Sequence, residues 1–345
     1  MRVFAILSIM LGVSCLAWGQ KPQNSGTDVQ LRGISAVSDK VAWASGASGT
    51  VLRTVDGGET WQKLEIVGAE SLDFRDIQAF DQNTAFVLSI GPGEQSRIYK
   101  TADGGRIWQR QFTNKDPKAF YDCFAFWDST HGIALSDSVD GKFPLIATSD
   151  GATWTPVAVK NMPAALPTEG AFAASGTCIA TFGKNDVWFS TGGPAARVFH
   201  SPDRGQTWTV AETPVIHGAA TQGIFSLVFW TKKDGIAVGG DYKEPAKADK
   251  VAALTHDGGK TWTLVTQPPQ GYRSAVAVIA GTSPHLVAVG TTGADDSSDF
   301  GQKWNHMDGN NYNAVSYASH VGWAVGPAGR IVRIDRIPAG AVIHD

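Results

Sequence analysis

One eight-residue phrase recurs along this chain and limits what it can fold into. It reads Thr54-Val55-Asp56-Gly57-Gly58-Glu59-Thr60-Trp61. It returns at 101–108, 201–208 and 255–262, one residue shorter at 148–154, and in a weaker form at 297–304. The Asp carboxylate can accept backbone N–H groups of its own turn. Gly supplies a positive φ where the chain reverses. Trp opens the next strand and buries a large ring against the turn. Each phrase is therefore a strand-turn-strand staple, with Asp56, Asp103, Asp150, Asp203, Asp257 and Asp299 as the turn acids. Trp61, Trp108, Trp154, Trp208, Trp262 and Trp304 are the rings.

The ring residues are 47, 46, 54, 54 and 42 positions apart. A period of about 40–50 residues is that of a four-stranded propeller blade. Between the staples the chain reads as short strands, with units opening at Leu31, Phe74, Phe120, about Glu169, Ile224, Tyr272 and Tyr312. Gly is abundant at 39 residues and charged residues are sparse at 18% of 345, which fits many tight turns in an all-β chain. The expected fold is a seven-bladed β-propeller, one domain over 20–345. The seventh unit has no staple. A ring must close so that no sheet edge is left open, so either the residues before Leu31 or the tail after Pro338 must complete it.

Residues 1–19 read as a signal peptide: Arg2, an apolar run over Val3–Val13 too short to span a bilayer, and small residues before a cleavage at Gln20. Lipid attachment at Cys15 is the alternative. Both place the protein outside the cytoplasm, periplasmic or extracellular, with no membrane-spanning segment, and we expect a monomer. Gln20–Asp28 reads as a flexible lead-in. Export permits a Cys123–Cys178 bridge, and the two fall at similar places in neighbouring units, but buried free thiols are the expectation.

A net charge of −3 gives no electrostatic case for nucleic acid. The eight His residues lack metal-ligand spacing, and no phosphate loop, dinucleotide fingerprint or Gly-x-Ser-x-Gly is present, so no metal and no cofactor is expected. Stacking the inner strands by register aligns Arg32, Arg75, Tyr121, Phe225, Arg273 and Asn313. Three arginines would then approach one axial mouth, suited to a carboxylate or phosphate. The alternative is that each arginine pairs with a neighbouring acid such as Asp76 or Asp122. The 240–250 loop, carrying Tyr242, joins the second and third strands of unit five on the same face. The expected ligand site is Arg32, Arg75, Arg273, Tyr121 and Tyr242.

The staples resemble the Asp-box (BNR) repeats of sialidase-like propellers. That resemblance implies that the boxes are structural and lie away from the mouth. Sialidases use three arginines, but Arg336-Ile337-Pro338 stands at the wrong end of this chain and no Tyr–Glu pair can be assigned. The full unit, clearest at 42–61 and 322–333, resembles the photosystem II assembly and stability factor propellers over essentially the whole mature chain. It implies an exported assembly factor with an arginine patch. The favoured function is therefore non-enzymatic: a scaffold holding a protein, acidic peptide or anionic ligand at the mouth. The alternative is a carbohydrate-active propeller, a glycoside hydrolase or a lectin-like glycan binder.

Overall fold

The computed structural model describes residues 18–279 and 285–336, and these form seven four-stranded antiparallel sheets arranged as a propeller. No helix among them is long and apolar enough to cross a membrane. The inner strands are Leu31–Ala36, Asp73–Ala79, Tyr121–Phe126, Ile179–Phe182, Gln222–Phe229, Ala275–Ile279 and Ala314–Ala318, for blades one to seven. Each second strand is buried on both faces and correspondingly apolar, as in Ala42–Gly46, Ala85–Ile90 and Val321–Val325. The core lies between blades. Trp43, Val51 and Leu64 of blade one meet Phe74, Ile77 and Val87 of blade two, and comparable clusters fill the other six interfaces.

The boxes join third and outer strands. In the first, the Asp56 carboxylate accepts Thr54 Oγ1–H at 2.8 Å, Thr60 N–H at 3.0 Å and Thr60 Oγ1–H at 2.6 Å. Gly58 N–H donates to Thr54 Oγ1 at 2.8 Å. These bonds, led by that from the Thr60 hydroxyl, hold the Asp56 carboxyl down to about 2. Asp103, Asp150, Asp203, Asp257 and Asp299 repeat the arrangement. Gly57 and Gly58 take φ of 80° and 88°, so a side chain at either would be strained. Since strand directions alternate, every box lies on the face opposite the start of the inner strands.

The ring is closed from the N-terminal side. Trp18–Gln23 pairs antiparallel with Ile331–Arg336 as the outer strand of blade seven, with Trp18 opposite Arg336 and Gln23 opposite Ile331. This explains the missing seventh box: no chain turn is needed there. It also corrects the reading of 20–28 as a flexible lead-in, because Gln20–Gln23 belong to a sheet. Residues 1–17 of the expected leader lie outside the described residues, while Trp18 and Gly19 are in the strand. Gln23 clasps the seam. Its Oε1 accepts Trp61 Nε1–H and Trp323 Nε1–H, both at 3.0 Å, and its Nε2 donates to Gly57 O at 2.9 Å. Gln111 of blade two's outer strand treats the blade-three box in the same way, accepting Trp154 Nε1–H at 3.2 Å and donating to Gly151 O at 3.0 Å.

Cys123 and Cys178 form a disulfide, with Cα atoms 6.2 Å apart, where blades three and four meet. This overturns the expectation of free thiols. The equivalent places of the two residues in neighbouring units were the correct guide.

Candidate functional site

Four inner strands carry an extra residue near their start. The register shifts between Leu31 and Gly33, Phe74 and Asp76, Tyr121 and Cys123, and Ile224 and Ser226. A bulge re-aims the side chain of the inserted residue. Those residues are Arg32, Arg75, Asp122 and Phe225. Arg32, Arg75 and Phe225 turn toward the axis and line a cavity of about 380 Å³ with Phe172, Tyr242 and Tyr272.

The aromatic side of this mouth is tightly ordered. Phe172 stacks on Phe225 with centroids 3.8 Å apart and planes 11° from parallel. Tyr272 and Tyr242 approach Phe225 edge-on at 4.8 and 6.1 Å. The cationic side is Arg32 and Arg75. Arg75 Nη1 donates to Ala173 O at 3.0 Å and its Nε to Asp73 at 2.8 Å. Arg32 is held by Gln30, whose side-chain oxygen, with the amide turned to face it, accepts Nη2–H at 2.9 Å. Burial, and then the charge of Arg75, pull the Arg32 guanidinium below its ordinary value. Asp73 is ion-paired with Arg75, so the two guanidiniums keep one net positive charge beside the apolar wall, which favours an anion there.

The wall is braced from behind. Asp137 accepts Ala171 N–H at 2.8 Å, and burial pushes its carboxyl up to about 6. Asp122 is fully buried, and burial, then the neighbouring Asp137, raise its carboxyl well above the usual range. It faces the backbone of Asp137 and Ala173, and its Oδ2 makes no hydrogen bond. Asp137 therefore fixes the segment that presents Phe172 and Ala173 O.

Two expected site residues lie elsewhere. Arg273 is fully buried: it is bound to Asp295 and donates to Tyr272 O at 2.8 Å and Thr292 Oγ1 at 3.1 Å. A glycine at the end of the second strand gives the true alignment of blades one, six and seven. Gly46 packs on the Leu31 backbone, Gly326 on Tyr312 and Gly290 on Arg273. Arg273 thus occupies the buried Leu31 position, and Ser274 the mouth position. Tyr121 likewise stands one residue before Asp122. It is buried edge-on to Phe112 at 5.2 Å, and burial pushes its hydroxyl up to about 12. A one-residue slip reverses the facing of every side chain in a strand. The sequence stacking missed Phe172 because unit four reaches the mouth through the 170–174 segment, ahead of its inner strand.

No family model matches the chain. In sequence, the photosystem II assembly lipoprotein Ycf48 of Picosynechococcus sp. is 23% identical over 313 residues, covering 75% of this chain and 84% of that protein. The solved structure of YCF48 bound to a D1 peptide matches with a TM-score of 0.64 at 14% identity, over 92% of this chain and 96% of that one. The chain is similar to Ycf48 in sequence and in fold. Virginiamycin B lyase from Staphylococcus aureus matches as well in shape, with a TM-score of 0.65 at 13% identity over 93% of this chain and 100% of that one. Shape therefore selects no chemistry. The similarity to Ycf48 has sequence behind it as well as shape.

Proposed function

We propose that this chain is an exported, non-enzymatic propeller that helps a protein complex of the cell envelope to assemble, by holding an acidic peptide segment at its mouth. The observation that carries this is the pairing of Arg32 and Arg75 beside the Phe172–Phe225 stack. The two guanidiniums receive a carboxylate, and the aromatic wall receives a neighbouring apolar side chain. The similarity to Ycf48, an assembly lipoprotein with a relative solved on a D1 peptide, supports the same reading. Export is supported by the leader-like residues 1–19.

The test is a pull-down from envelope extract with residues 20–345, beside Arg32→Ala/Arg75→Ala. The expected result is a partner retained by the wild type, lost by about tenfold or more in the double variant. Its capture should weaken with salt. Equal recovery by both forms overturns the mouth as the site. A hydrolysed glycan in a turnover assay would overturn the non-enzymatic reading.

A further inference from the structure

Blade three differs from its neighbours at its outer edge. Its outer strand is only Thr155–Pro156, after which the chain leaves toward blade four, where Lys160 N–H donates to Gln206 O at 2.9 Å. The third strand, Leu145–Thr148, receives its last outward bond at Leu145 O, from Val157 N–H at 2.9 Å. Backbone groups of a strand alternate sides. Pro144 O turns inward to Ser136 N–H at 3.0 Å, so Phe143 turns its N–H and C=O outward. Neither group has a hydrogen-bond partner among the described residues.

Phe143 stands five positions before the Thr that opens its box. The residues at that position in blades one, two, four and five are all engaged. Gly49 N–H donates to Leu72 O at 2.7 Å. Ser96 O accepts Asn114 N–H at 3.0 Å, Ala196 O accepts Thr213 N–H at 2.8 Å, and Lys250 O accepts Ile216 N–H at 2.9 Å. Blade three lacks this bond, and a buried backbone pair without partners is unfavourable. Phe143 forms the floor of a groove of about 610 Å³ with apolar walls at Val139, Val157, Val159 and Met162. Lys142 and Lys160 stand exposed on its rim. The groove shares no lining residue with the mouth.

We infer that this groove takes an extended, acidic segment of a partner protein as the missing half of blade three's outer strand. The segment's main chain pairs with Phe143 N–H and C=O. An apolar side chain sits between Val157, Val159 and Met162. A flanking carboxylate meets Lys142 or Lys160. Strand addition of this kind takes affinity from the main chain and specificity from alternate side chains. The site is lateral, so one partner can hold the mouth and the edge together, or two partners can bind at once.

The probe is a fluorescein-labelled octapeptide of alternating valine and glutamate, read by fluorescence polarisation against the full chain. Wild type is expected to bind it. Arg32→Ala/Arg75→Ala removes the mouth as a second site for an acidic peptide and should keep the groove's share of the binding; adding Lys142→Glu/Lys160→Glu to it should weaken what remains by about tenfold or more. A probe N-methylated on alternate amides, which cannot pair along an edge, should also lose about tenfold. No binding up to ~1 mM overturns the inference. So does loss of all binding in the arginine variant, which would place the peptide at the mouth. Equal affinity of the N-methylated probe would show an occupant held by side chains only, and would overturn strand addition.

Discussion

Replacing Gln23 by Ala tests whether one amide latches the ring. The side chain accepts two indole N–H groups and donates once to Gly57 O. Trp323 is fully buried, so its N–H would lose its acceptor with no water to replace it, costing about 1–3 kcal/mol. Trp61 is partly exposed and water can take over, so its loss is smaller, about 0.5 kcal/mol. The lost bond to Gly57 O adds about 1 kcal/mol. The expected destabilisation is therefore about 2.5–4.5 kcal/mol. Gln23→Glu keeps the oxygen that accepts both indoles but sets a carboxylate oxygen against Gly57 O, so it should cost about 1 kcal/mol at acid pH, where the protonated carboxyl can still be accommodated, and more as it ionises. Gln111→Ala strips one indole rather than two and should fall between them. Urea unfolding followed by tryptophan fluorescence gives all three values. The reasoning is refuted if Gln23→Ala unfolds at the wild-type midpoint, or if the Ala and Glu variants lose the same amount at acid pH.

Three other outcomes are expected. Cys123→Ala/Cys178→Ala should cost about 2–4 kcal/mol in the same experiment, because the bridge closes a 55-residue separation; an unchanged midpoint would show that the blade interface needs no crosslink. Asp137→Asn should flatten the fall in stability between about pH 4 and 6.5. The folded-state pKa of about 6 lies above the ordinary 3.8, so the stabilising proton is fully bound below about 4 and lost as pH rises through 6, at most about 3 kcal/mol; equal slopes for variant and wild type would count against that burial. Asp203→Ala frees two backbone N–H groups and two hydroxyls of the fourth box and should cost about 1–2 kcal/mol, with capture of the envelope partner unchanged at a permissive temperature; lost capture at an unchanged midpoint would give the box a role in binding.

What the sequence made legible was local. A box is complete within eight residues, its Asp, Gly and Trp all acting on their own turn, so six copies and their spacing were enough for blade count and class. The closing strand was harder, because Trp18–Gln23 finds its partner some three hundred residues away and carries no box. Gln111, the counterpart of Gln23, gives no register signal, because Gln23 is opposite Ile331 whereas Gln111 sits on a bulge beside Phe112, which is opposite the equivalent Ile98. At the mouth, Arg32 and Arg75 were correctly aligned, since both follow a buried apolar residue and sit on bulges. Arg273 was displaced because Tyr272 was matched to Tyr312, although Tyr312 aligns with Arg273 itself. Burial of an arginine against Asp295, twenty-two positions later, leaves no mark on an inner-strand pattern. Phe172 lies outside any repeat register, so only the folded chain could bring it to Phe225.

Closure of the ring by Trp18–Gln23 sets an order of events during synthesis. Of the strands described, the first must wait for the last, because its partner is Ile331–Arg336. Until then the blade-one box lacks its latch and the edge of blade seven is unpaired. A chain cut short anywhere before Ile331 cannot complete the circle, however well its finished blades are packed. Such a fragment would expose two open sheet edges. The seam thus distinguishes complete copies from incomplete ones, and a protease that attacks unpaired strands would remove the latter.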